Sequence, residues 1–267
     1  MSVREVLRTV VLWVPRRLAL RRVGRVTSHD EGARRILRAV ERTLRGELEP
    51  GERAWMRRLA ELRRRLRRSR QPVTLTNPAR VQTVGQRYLF SKSPLGALLL
   101  FRLVREFRPA RCLELGTNVG VSAAYQAAAL AVNGGGELHT IEGSRALAEL
   151  SRGYLASLQL PAEVHAGKFA DVLPGLLPRA APLDYVFIDG HHDGPATVGY
   201  FAQIQPSLSP GALVVFDDIA WSDGMAEAWR TIQADPRVRV AVSFGIMGAC
   251  LVGGEGERVR IDLPIPG

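Results

Sequence analysis

Cysteine is scarce in this chain, aromatic side chains are few, and its early apolar run is short. The two cysteines, Cys112 and Cys250, lie in apolar, strand-like runs. They read as small buried side chains, not as a disulfide or a metal pair, so nothing argues for an oxidising compartment. The run Val10 to Val14 is too short for a signal-peptide core or a membrane span, and Pro15, Arg16 and Arg17 follow at once. A cytoplasmic location is the expectation. Aromatic residues make up 6% of the chain and do not interleave with its arginines as in a recognisable nucleic-acid module. Nucleic acid is therefore the weaker of the anionic partners considered below. No internal repeat is present.

What the chain does have is enough apolar material for one substantial core: 267 residues, 46% of them hydrophobic, with mean hydropathy near zero. The net charge of +11 is unevenly placed. Residues 1 to 70 hold 21 arginines against 8 acids, whereas residues 71 to 267 hold 16 basic and 18 acidic residues. The basicity thus belongs to an N-terminal extension, expected over 1–70, followed by a linker over 71–84 with Pro72 and Pro78, and a core domain over 85–267. Within the extension, Val3, Val6, Leu7, Val10, Val11 and Val14 form an apolar stripe, and a second helical pattern runs from Ala33 to Leu44. A third, Ala54 to Arg70, sets Trp55, Leu59, Leu62 and Leu66 on one side of an arginine-rich helix. Two readings compete for it: an apolar stripe packed on the core or on a second copy in a homodimer, or peripheral attachment of a basic amphipathic helix to an anionic membrane.

Beyond the linker, strand and helix patterns alternate. A helix is expected over Ser93 to Phe107, and strands over Arg111–Leu115, Glu137–Ile141, Glu163–Ala166, Tyr185–Ile188 and Ala212–Phe216. Val238–Ser243 and Ala249–Val252, joined by the link Phe244 to Gly248, form a terminal hairpin. This pattern predicts an α/β fold: a doubly wound, mostly parallel seven-stranded sheet covered by helices on both faces.

Ligands of such sheets sit at the carboxyl ends of the strands, and those ends are polar here: Glu114 and Gly116, then Glu142, Asp189, and Asp217 with Asp218. The turn from Gly116 through Thr117, Asn118 and Val119 to Gly120 lets the backbone approach a nucleotide-like ligand and opens a helix with exposed amides. Glu142, ending the next strand, is placed to accept both hydroxyls of a ribose. The turn has a four-residue step between glycines and an asparagine where the dinucleotide fingerprint wants its second glycine, which disfavours a pyrophosphate.

With its acidic-glycine turn, the acid at 142 and the closing hairpin, the stretch from about 85 to 253 resembles the class I S-adenosylmethionine-dependent methyltransferases, which share a Rossmann-like fold. Ile188 to His192 and Val215 to Ile219 are similar to the small-molecule O-methyltransferases of the catechol and macrolide-sugar types. The resemblance implies that Glu114, Gly116, Asn118 and Gly120 line the methionine portion and sulfonium, that Glu142 holds the ribose, and that Lys168 and Phe169 pass the adenine, where relatives often carry an acid in place of Lys168. It implies His192 as the base that deprotonates the acceptor, with His191 as the adjacent competitor, and Asp189 as a cofactor-binding and catalytic partner. It also implies Mg²⁺ as a second cofactor, held by Asp189, Asp217 and Asp218, although the catechol type carries asparagine where Asp218 stands. Trp221 and Met225, with Tyr88 or Phe90, are the candidates for an apolar wall around a small-molecule acceptor. Two other functions stay open at this point: a nicotinamide-dependent oxidoreductase, and a non-catalytic cofactor-binding or membrane-associated protein on the same fold.

Overall fold

The structure is a computed structural model that describes residues 29–75 and 80–263. The Val3 to Val14 stripe and Pro78 lie outside the described residues. The described residues divide into two compact units, one within 47–186, and one formed by 187–263 together with 29–46.

In the first unit, α-helix Pro50–Arg68 begins where proline costs nothing, at the first helical position, and where the Glu49 amide donates to the Glu52 carboxylate at 2.8 Å. Its Leu59, Leu62 and Leu66 are buried, while Arg57, Arg58, Arg64, Arg65, Arg67 and Arg68 are exposed. The chain itself therefore covers the apolar stripe. One charge lies on the buried side: Glu52 is fully buried against the equally buried Arg102 of helix Pro94–Phe107, at 2.5 Å, with Arg105 Nε at 3.1 Å. Burial pushes the Glu52 carboxyl up, but the Glu49 amide and the two guanidiniums outweigh it and hold the carboxyl below its ordinary value. The segment expected as a linker folds into a two-stranded antiparallel ribbon, β1 (Pro72–Thr74) with β2 (Val81–Thr83). A short helix, Val84–Tyr88, follows it, capped reciprocally by Thr83 and Gln86.

The βα alternation comes next: β3 (Arg111–Leu115), helix Val121–Asn133, β4 (Glu137–Glu142), helix Arg145–Ser157, β5 (Ala162–Ala166), helix Phe169–Ala180 and β6 (Leu183–Ile188). β3, β4 and β5 are parallel and in register, Leu115 beside Ile141 and Glu142 beside Ala166, so their carboxyl ends line up. Helix Val121–Asn133 is buried over Val121 to Leu130 and rich in alanine, which lets it lie close to the strands.

In the second unit, helix Gly194–Ile204 leads into β7 (Leu208–Phe216), helix Asp223–Ala234, β8 (Val238–Phe244), β9 (Met247–Val252) and β10 (Val259–Leu263). β8 and β9 form the expected hairpin, and β9 runs antiparallel to β7. Helix Glu31–Arg45 belongs here too: Asp30 caps it by accepting from the Ala33 amide and pairs with Arg239 of β8. The full sheet has eight strands in the order β10-β8-β9-β7-β6-β3-β4-β5. It is the predicted doubly wound sheet with one strand more than the seven expected. β10 lies parallel to β8, with Ile261 beside Val242. Its five residues carry too short a pattern to announce a strand; the open edge of β8 supplies the hydrogen bonds that make it one.

Candidate active site

The glycine turn after β3 is held from behind. The Gly116 and Thr117 amides donate to the Ile141 carbonyl at 3.0 and 3.2 Å, and Gly116 and Gly120 take φ of +104° and +81°. A Cβ at Gly120 would stand 3.1 Å from the Ser151 Cβ in a backbone conformation side chains rarely adopt, so both space and torsion select glycine. Asn118 also has positive φ, +49°. Its amide donates to the Glu142 carboxylate at 2.7 Å, and the Ser144 amide donates to the other oxygen at 2.9 Å. Turn and β4 end are thus bound together, with the Glu142 carboxylate oriented and half-buried. The Gly167 amide bonds the Glu142 carbonyl, bringing the start of the Lys168–Phe169 segment beside it. Lys168 is the N-cap of helix Phe169–Ala180, and Phe169 is buried. A cavity of about 390 Å³ lies in this region, lined by Gly143, Arg145, Glu149, Arg152, Ala166 and Gly167.

Glu114 sits deeper than an exposed strand-end acid. It is fully buried, and its two oxygens accept from Gln126 Nε2 at 2.7 Å and Thr140 Oγ1 at 2.5 Å. Thr140 in turn meets Thr117 Oγ1 at 2.6 Å. Burial pushes this carboxyl up to about 7, against the pull of Thr140, Ser122 and Gln126. These hydrogen bonds tie β3, β4 and helix Val121–Asn133 under the turn.

In the second unit, Asp189 is half-buried at the end of β6, Asp217 is 5% exposed at the end of β7, and Asp218 follows it. His192 Nδ1 lies 2.9 Å from Asp218 Oδ2. His191, His192 and Asp218 all have positive φ (+67°, +47° and +53°), a conformation costly for residues with a Cβ and characteristic of functional sites. The two histidines have different surroundings. His191 Nδ1 meets the Tyr200 hydroxyl at 2.7 Å and its ring stacks on that phenol, whereas His192 pairs with the carboxylate and lies 6.4 Å, ring to ring, from Trp221. Trp221 is 58% exposed. Met225 is buried and takes the Thr197 hydroxyl on its sulfur, so it belongs to the packing beneath that surface. Leu89 and Phe90 are exposed in the other unit.

The donor set Asp189, Asp217 and Asp218 is all carboxylate oxygen, which suits Mg²⁺ in kind. Among the described residues, however, the group of three or more ligating side chains whose atoms come within 4.8 Å of one another is His139, Glu163 and His165, and Asp218 has one oxygen on His192. Arg87 escaped the sequence reading. Its guanidinium donates to Asn118 Oδ1 from Nε at 3.3 Å and Nη2 at 3.2 Å, and Asn118 Nδ2 donates back to the Arg87 carbonyl. The signal that could have found it is the spacing of Thr83 and Gln86, a capping box that starts a helix and sets Arg87 upon it.

Residues 113–219 match a family model described as a methyltransferase domain. A catechol O-methyltransferase from Niastella koreensis is 33% identical over 160 residues, which span 59% of this chain and 69% of that protein. The O-methyltransferase TomG from Streptomyces achromogenes, involved in tomaymycin synthesis and solved with S-adenosylmethionine, is 29% identical, with a TM-score of 0.53 over 61% of this chain and 82% of that one. An O-methyltransferase from Bacillus cereus, solved with S-adenosylhomocysteine, shares the fold at 21% identity, with a TM-score of 0.57 over 74% of this chain and 90% of that one. The methyltransferase turn, the acid after it and the relatives' shared chemistry agree: the chain belongs to the class I S-adenosylmethionine-dependent methyltransferases, among the O-methyltransferases.

Proposed function

We propose that this O-methyltransferase acts on a hydroxyl of a small molecule with an apolar, flat portion, and that His192 is its general base. The observation that carries the reading is the 2.9 Å contact between His192 Nδ1 and Asp218 Oδ2. With the Nδ1 proton held by Asp218, Nε2 is the basic nitrogen, and Asp218 stabilises the imidazolium formed when Nε2 takes the acceptor's proton. The exposed face of Trp221 beside His192 suits a catechol-like ring, the acceptor class named for the Niastella relative.

S-adenosylmethionine, when bound, supplies a methyl group on a positively charged sulfur, open to in-line displacement. The residues that fit it are the positive-φ glycines at 116 and 120, which permit close backbone approach, and the oriented Glu142 carboxylate, which has acceptor capacity for the ribose hydroxyls. The Asn118 amide donates to that carboxylate, Lys168 and Phe169 follow Gly167, whose amide bonds the Glu142 carbonyl, and the cavity lined by Gly143 and Gly167 has room for an adenine. Glu114 supports the turn from beneath in this reading, and Asp189 stands at the head of the His192 loop.

Mg²⁺ is a second reading, favoured by three carboxylates at two strand ends. It requires Asp218 to share or exchange its contact with His192. The core domain over 85–267, with residues 1–70 as its extension, a cytoplasmic location and homodimerisation are retained as part of the proposal. Among the described residues no helix is long and apolar enough to cross a membrane. On helix Pro50–Arg68 the buried stripe favours electrostatic contact over insertion at an anionic membrane.

The test is His192→Ala assayed on a panel of catechols. It should lose about 10²- to 10⁴-fold in kcat while binding S-adenosylhomocysteine as the native chain does in calorimetry. An unchanged kcat refutes the base assignment. Turnover after chelation, with and without added Mg²⁺, decides the metal: full activity without it removes that reading.

A further inference from the structure

A second cluster of ligating side chains lies away from the methyl-transfer residues. β4 and β5 are parallel neighbours, and their register sets His139 beside Glu163. Because side chains alternate along a strand, Glu163 and His165 share one face of β5, the face that also carries His139 on β4. The nitrogens converge: His139 Nδ1 stands 3.1 Å from His165 Nε2 and 3.5 Å from Glu163 Oε2, and Glu163 Oε1 is 3.7 Å from His165 Nε2. All three ligand atoms lie within 4.8 Å of one another.

One N–H···N hydrogen bond between the rings accounts for the 3.1 Å approach of the two nitrogens, but it leaves the Glu163 carboxylate, at 3.5 and 3.7 Å, beyond good hydrogen-bond distance of either. A tetrahedral ion with bonds of about 2.0 to 2.2 Å separates its ligand atoms by about 3.3 to 3.6 Å, close to the 3.1 Å between the two nitrogens and the 3.5 and 3.7 Å from them to the two Glu163 oxygens. The second nitrogen of His139, Nε2, lies 3.8 Å from Glu137 Oε1, close enough for charge attraction but too far for a direct hydrogen bond. Both rings are largely buried, at 11% and 15% side-chain exposure, while Glu163 is 58% exposed, so the cluster is preorganised at its base and open at its rim.

We infer that His139, Glu163 and His165 form a binding site for a divalent transition ion of the zinc class, clipping the edge strand β5 to β4. Two imidazoles and one carboxylate match Zn²⁺ in kind and number, with a water as fourth ligand, and they do not suit Mg²⁺ or Ca²⁺, which prefer oxygen. The ion would act structurally. β5 is the last strand of the sheet, paired on one side by β4, and a shared ion would hold it in register where backbone pairing is one-sided.

The experiment uses the full chain, freed of metal by a chelator and titrated with Co²⁺ followed by absorbance, then with Zn²⁺ in competition. One equivalent of Co²⁺ should give the intense visible bands of a four-coordinate site, Zn²⁺ should displace it, and the melting temperature should rise with Zn²⁺. His165→Ala should abolish all three responses, and His192→Ala should keep them, which separates this site from the other histidine and carboxylate contact. Should His165→Ala fail to fold, Glu163→Gln changes only an exposed side chain and should weaken Zn²⁺ binding by about tenfold or more. Absence of the Co²⁺ bands, a melting temperature unmoved by Zn²⁺, responses that survive His165→Ala, or a Zn²⁺ affinity unchanged by Glu163→Gln would each overturn the assignment.

Discussion

Glu114→Gln isolates the cost of keeping a carboxyl group under the glycine turn. The group is fully buried and titrates at about 7 against an ordinary 4.5, because burial penalises the ionised form more than Thr140, Ser122 and Gln126 stabilise it. At about 1.36 kcal/mol per tenfold change in proton affinity, that displacement is worth about 3 kcal/mol. The sign follows from where the proton binds more tightly. The folded chain holds it more strongly than the unfolded chain, so the contribution to stability is complete below pH 4.5 and is lost as pH rises through 7. Glutamine does not titrate. The stability of the native chain minus that of Glu114→Gln should therefore fall by about 3 kcal/mol between pH 4.5 and 8, a large share of the ~5–15 kcal/mol that holds a typical domain. Urea unfolding of both chains, free of cofactor, at pH 4.5, 6, 7 and 8 measures it; other titrating groups cancel in the difference. A flat difference would refute the burial reasoning. One that rises with pH would mean that the three donors outweigh desolvation, and that Glu114 is a stabilised carboxylate.

Two further substitutions probe the packing that positions the site. Arg102→Leu leaves Glu52 buried with Arg105 as its remaining cationic partner and should cost about 3 kcal/mol in chemical denaturation; replacing both Glu52 and Arg102 by leucine should recover most of that, and a double variant no better than the single would contradict the pairing. Gly194→Ala would put a Cβ 2.3 Å from the Gly224 carbonyl oxygen, backbone that yields little, directly after the His192 loop. It should lower stability by about 1 to 3 kcal/mol in a thermal melt and reduce kcat with it, and a variant that melts as the native chain does would rule out the close approach.

Much of the fold was legible because its signals are local. The βα alternation from Arg111 to Phe216 needs only hydrophobic periodicity and chain order, and the acids that end β3, β4, β6 and β7 stand out as polar residues closing apolar runs. The arginine-rich stretch also shows its helical period plainly. Glu52 was the less visible part of that helix: a single acid at its start gives no hint that it will be buried, because its partner Arg102 lies fifty residues away on another helix. Distance in sequence likewise hides Asp30 with Arg239, 209 residues on, which places helix Glu31–Arg45 with the C-terminal strands. It also hides the pairing that turns Val259–Leu263 into an eighth strand.

By itself, the sequence determined the sheet, the glycine turn and a set of candidate residues at the strand ends. Those are consequences of local chemistry: glycine where φ must be positive, acids where strands end, alternating patterns where strands and helices must each bury a face. Only the tertiary structure decided what each of these side chains touches. It gave His192 a carboxylate and His191 a phenol, sank Glu114 beneath the turn, set Arg87 on Asn118, and brought His139 and His165 together across two strands. The reason is physical. Hydrogen bonds, charge pairing and desolvation act over a few ångströms between groups far apart in the chain, and those distances exist only once the strands have found their neighbours.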